Sequence, residues 1–94
     1  MITAIGLTLA LAASSPASDE KRATCQAFGL WAAQVVQMRD SGLPLSEVTT
    51  TVEDRANPAF VPSMKRIAKL LYRTDVDEAQ AEKLIVDGCI SGLS

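Results

Sequence analysis

Cys25 and Cys89 stand 64 positions apart in a chain of 94 residues, and no third cysteine competes for either. In a small exported domain, an even pair near the two ends reads as one disulfide. Closing a loop of that length stabilises a fold by about 4 kcal/mol in the chain-entropy account. That is a large part of the roughly 5–15 kcal/mol that holds a typical domain together. Free thiols or bonds between chains are the other structural readings of the pair. A redox-active pair does not suit the spacing, because thiol oxidoreductases usually present Cys-x-x-Cys.

Export is read from the first seventeen residues, MITAIGLTLALAASSPA, which carry no charged side chain. The apolar run Ile2 to Ala13 is shorter than the roughly 20 residues of a comfortable bilayer span. Small residues, Pro16 and the cluster Asp19-Glu20-Lys21-Arg22 follow it. That order predicts a signal peptide over residues 1–17, cleaved near Ala17, and a mature helical domain over 18–94. Ala10-Leu11-Ala12 offers a second cleavage site, and an uncleaved anchor is the competing reading. The expected location is the periplasm or the exterior of a bacterium.

The chain has no histidine, which removes Ser/His and Cys/His catalytic pairs, the HExxH zinc site and a histidine pH switch. Two cysteines alone cannot complete a structural zinc site. Nine basic against eleven acidic residues give a net charge of -2, so nothing in the overall charge draws the chain to nucleic acid. No cofactor and no metal are expected.

Hydrophobic periodicity predicts helices throughout. The first spans about Ser18 to Ser41, with Cys25, Phe28, Trp31, Ala32, Val35 and Met38 on one face. Ser41-Gly42-Leu43-Pro44 supplies its stop. Ser46 is positioned to cap a second helix reaching about Ala56, despite the weak helix formers Thr49-Thr50-Thr51. Pro62 suits the first turn of a third helix running to about Tyr72, which gathers Phe60, Met64, Ile67 and Leu71 on one side. The fourth starts at Thr74 or Asp75, where Asp75 and Glu78 have capping-box spacing, and Ala81, Leu84, Ile85, Gly88 and Cys89 form its buried face. A Cys25–Cys89 bridge would then join the first and last helices, packed antiparallel, in a compact all-α, four-helix domain. Gly29 and Gly88 beside the bridge suggest a close backbone approach.

Cys25, the turn Arg39-Asp40-Ser41-Gly42, the aliphatic-Tyr pair Leu71-Tyr72 and Cys89 are spread over most of the mature chain. In this layout the chain resembles a group of small exported two-cysteine bacterial proteins, often encoded in phages or prophages. Their turn is written Arg-x-x-Gly, commonly with Gln after the Arg, where this chain has Asp40. The resemblance implies compartment and fold and transfers no catalytic residue. A looser likeness, in size and helix content alone, is to the two-cysteine helical acid-stress chaperones of the periplasm.

Lys65, Arg66, Lys69 and Arg73 share an arc opposite the apolar face of the third helix, and the following segment is mostly acidic. The arc reads as a solvated face toward that acidic neighbour, or as a docking stripe for an anionic protein or lipid surface. Arg39, in the last turn of the first helix, suits the helix dipole or a partner contact. Glu78 and Glu82 lie one turn apart, the spacing a carboxylate-dependent hydrolase or a cation site would need, though a solvated role explains them as well. The expectation drawn from these residues is a non-catalytic exported interaction protein, a binder, inhibitor or envelope-associated factor. Association with an anionic membrane surface through the basic arc is the alternative, and hydrolysis at Glu78 and Glu82 a weaker one.

Overall fold

The chain folds into four helices, α1 (Pro16–Asp40), α2 (Leu45–Arg55), α3 (Val61–Tyr72) and α4 (Glu78–Ser91), with Gly42, Pro44, Pro58 and Pro62 punctuating the first two links. The computed structural model describes residues 16–92, and no strand occurs among them. The all-α, four-helix class expected from periodicity is the observed one. The expected signal peptide lies outside the described residues except for Pro16 and Ala17, which open α1.

α1 stops at Gly42, whose φ of 90° only glycine adopts without strain. The amide of Leu43 donates to the Met38 carbonyl at 3.0 Å, and that of Gly42 to Arg39 at 3.1 Å, the paired bonds of a Schellman turn. Pro44, extended, then serves as the N-cap of α2. Ser46 is not the cap. The Pro44 carbonyl already accepts from the amides of Glu47 and Val48, so the helix is under way before Ser46 is reached. The threonine triplet is tolerated because each hydroxyl turns back on the preceding turn: Thr49 and Thr50 donate to the Ser46 carbonyl and Thr51 to that of Glu47.

Pro62 sits in the first turn of α3, as expected. The start of α4 differs from expectation. Asp77, not Asp75, is the N-cap, accepting from the Gln80 amide at 2.8 Å while the Gln80 side chain accepts from the Asp77 amide at 3.1 Å. The reason lies in the connection: Thr74 and Val76 turn their carbonyls to Arg39, and Asp75 between them stands outside any helical turn.

Ala32, Val35 and Val36 of α1 pack with Val48 of α2, Ala68 and Leu71 of α3 and Ala81 of α4 in one buried cluster. Val36 broadens the apolar face of α1 beyond the expected stripe. Small side chains dominate this core, which lets the helices approach closely. α1 is the common support, contacting all three others, whereas α3 and α4 hardly touch each other. The Trp31 indole pins α1 to α3 by donating to the Met64 carbonyl at 3.0 Å.

The Cys25–Cys89 disulfide joins the first and last helices with a Cα–Cα distance of 5.5 Å. Further along α1, Gly29 faces Val86 and Glu82, and Gln37 donates to Glu78 at 2.8 Å. Ascending positions on α1 thus meet descending positions on α4, so the two helices are antiparallel. Gly29 is the close approach: a Cβ there would run into the Val86 side chain and lie 3.3 Å from the Glu82 carbonyl. Gly88 is not one, since a Cβ there would meet nothing within 4 Å.

Candidate functional site

Arg39 leaves the last turn of α1 and reaches across to the link between α3 and α4. Its Nη1 donates to the carbonyls of Leu71 at 3.0 Å and Thr74 at 2.7 Å, and its Nη2 to Val76 at 2.8 Å. The Nε donates to Asp40 at 3.0 Å. The planar guanidinium suits this set, since its donors diverge in a fixed fork. Only 17% of the side chain is exposed, and its donors are committed within the chain. Beside it the Tyr72 hydroxyl donates to the Leu43 carbonyl at 2.6 Å. Burial raises the Tyr72 pKa, the Arg39 charge opposes this, and Glu47 adds to it. The two separate motifs, Arg39-x-x-Gly42 and Leu71-Tyr72, therefore meet as one fastening between the α1–α2 turn and the α3–α4 link.

The basic residues of α3 do not act as one stripe. Lys65 is half-buried and pairs with Glu53 of α2 at 3.3 Å, so the acidic neighbour it meets is α2 rather than α4. Arg66 and Lys69 are exposed and pair with no described acidic residue, and Arg73 donates to the Lys69 carbonyl at 3.3 Å. Glu78 accepts from Gln37, while Glu82 lies against Gly29 and borders a shallow hollow with Lys83 and Asp87 that Glu78 does not share. The two carboxylates do not converge on one cavity. Among the described residues no cluster of three Cys, Asp or Glu forms that could hold a metal ion.

What periodicity did not reveal is a groove of about 650 Å³ between α3 and α4. Phe28 of α1 contributes to its lining and packs edge-on against Phe60, ring centres 5.6 Å apart. Ile67 and Leu70 form one wall, Leu84 and Ile85 the other. Leu70 is 39% and Leu84 49% exposed, with nothing above them. Leu84 and Gly88, expected on the buried face of α4, instead flank this opening, because α3 and α4 hardly touch and leave that side of α4 uncovered. Ser63, Arg66 and Cys89 complete the lining. A sequence signal existed in the adjacent pair Leu70-Leu71, which makes the apolar face of α3 wider than its neighbours cover.

Fold and groove together define a disulfide-fastened, all-α domain with an uncovered apolar cleft. The disulfide belongs to an oxidising, non-cytoplasmic setting, and no described helix is long and apolar enough to cross a membrane. In comparisons with known proteins, the chain matches no family model, no curated protein and no solved structure.

Proposed function

We propose that this is an exported, non-catalytic interaction protein that receives its partner in the groove between α3 and α4. One observation carries the reading: Leu70 and Leu84 stand uncovered on facing walls of an apolar cleft of about 650 Å³. Concave, mostly apolar sites of roughly 300–1,000 Å³ with a few polar groups are where proteins bind ligands. The disulfide supports export, as does the predicted signal peptide over 1–17 with cleavage near Ala17 and release to the periplasm or beyond. The likeness to small exported phage-associated bacterial proteins accords with this compartment.

A membrane-surface role for the basic arc has less support, because Lys65 is engaged by Glu53 and Arg66 borders the groove. A photo-crosslinker at position 84, in envelope fractions, is expected to trap a partner, with the adduct lost in a Leu70→Glu variant. The same group at Thr50, on α2, is expected to trap none. Equal labelling at both positions, or none at either, would overturn the assignment.

A further inference from the structure

We infer that the groove between α3 and α4 is an interface between two copies of this chain, related by a two-fold axis. The inference rests on the reading of the groove as the partner site and names the partner. Four large apolar side chains are exposed among the described residues. Leu70 and Leu84 line the groove, and Phe60 packs on Phe28 in its lining, which leaves only Leu30 elsewhere. The apolar surface left bare by folding is therefore gathered on one side of the molecule, whereas scattered single residues would need no explanation.

Charge selects the second copy. On α3, Arg66 and the C-cap Arg73 stand four positions before and three after Leu70, so all three share one stripe of the helix. Both arginines are exposed and pair with no described acidic residue, and Arg73 donates to the Lys69 carbonyl at 3.3 Å. On α4, the N-cap Asp77 and Asp87 stand seven positions before and three after Leu84, again along one side. Both aspartates are exposed. Asp77 caps α4 through one oxygen, and Asp87 pairs with Lys83 at 2.6 Å in the open, a type of contact worth little in water. Each wall thus presents a leucine between two charges of one sign, and the signs are opposite. A two-fold axis along the groove lays α3 of one copy over α4 of the other, and the same operation lays α4 over α3. Basic wall then meets acidic wall twice, and both leucines are covered. A two-fold contact needs one patch that is complementary to itself, and both halves of that complement stand on this chain.

The test is sedimentation equilibrium of the purified, disulfide-bonded protein over a concentration series. A reversible monomer–dimer equilibrium is expected. Leu84→Glu or Leu70→Glu should leave monomer, while Leu30→Glu, on α1, should change nothing. Arg66→Glu with Arg73→Glu should weaken dimerisation about tenfold or more by setting like charges face to face. Asp87→Lys with Asp77→Asn, which keeps a capping side chain, should do the same from the other wall. An equimolar mixture of these two double variants should form a heterodimer, because α3 of each then faces an α4 of opposite sign. That rescue would show both variants to be folded, and a merely structural defect would not give it. Monomer at every concentration, a dimer indifferent to both leucine variants or lost in Leu30→Glu, or a mixture that stays monomeric would overturn the inference. In envelope fractions, the crosslinker at position 84 should yield an adduct of two copies. If it traps a different molecule while the purified protein is monomeric, the second copy fails as the occupant and the groove stands as the partner site.

Discussion

The guanidinium of Arg39 donates to the Leu71 carbonyl at 3.0 Å, fastening the end of α1 to the end of α3 across 32 positions of chain. The same group holds Thr74 and Val76, so one side chain orders the whole link into α4. Arg39→Lys keeps the charge but loses the fork. We expect it to lower stability by about 1–3 kcal/mol in urea unfolding, the cost of leaving part-buried carbonyls without donors. An unchanged midpoint would show that the link is held by other contacts.

Tyr72 gives a pH dependence with a definite sign. Burial raises its pKa above the ordinary 10.0, so the folded state holds this proton more tightly than the unfolded chain does. Its contribution is complete below pH 10.0 and is lost as the pH rises through the folded value. Tyr72→Phe should cost about 1 kcal/mol at neutral pH through the lost bond to Leu43. It should also flatten the alkaline fall in stability, which unfolding at a series of pH values would show.

The two glycines near the bridge predict opposite responses. Gly29→Ala forces a methyl against Val86, and a net loss of about 1–3 kcal/mol is expected despite better helix propensity. Gly88→Ala meets nothing and should stabilise the protein by up to about 1 kcal/mol. Denaturation midpoints of the two variants, compared with the parent, would decide both.

Removing the disulfide through Cys25→Ala with Cys89→Ala should destabilise the fold by about 4 kcal/mol if loop entropy governs. Cys25 is buried, so part of its packing is kept by alanine. The measurement is the shift in unfolding free energy between the double variant and the oxidised parent.

Much of this fold was legible because it is written locally. The Gly42 stop, Pro62 in the first turn of α3 and the helical periods all report a chemistry that acts within a few residues. The bridge was legible because two cysteines leave one pairing within the chain. Asp75 with Glu78 was read as the capping box although Asp77 with Gln80 has the same spacing, and Arg39, more than thirty positions away, bonds the carbonyls on either side of Asp75. Gly29 and Gly88 looked alike for the same reason: only the register of α4 on α1 separates a tight contact from open space. The groove is a property of two helices that do not meet, and periodicity marks which face is apolar without marking how much of it is covered.

Disulfide and guanidinium fasten α1 to its neighbours at opposite ends, one covalently near Cys25 and one by hydrogen bonds at Arg39. The spacing of the groove walls is thereby set when the chain folds. A molecule arriving there meets preorganised walls and surrenders chiefly its own freedom, which is the condition under which a modest apolar surface yields useful affinity. Loosening either fastening should therefore weaken binding through the width of the cleft, although neither Arg39 nor Cys25 lines it.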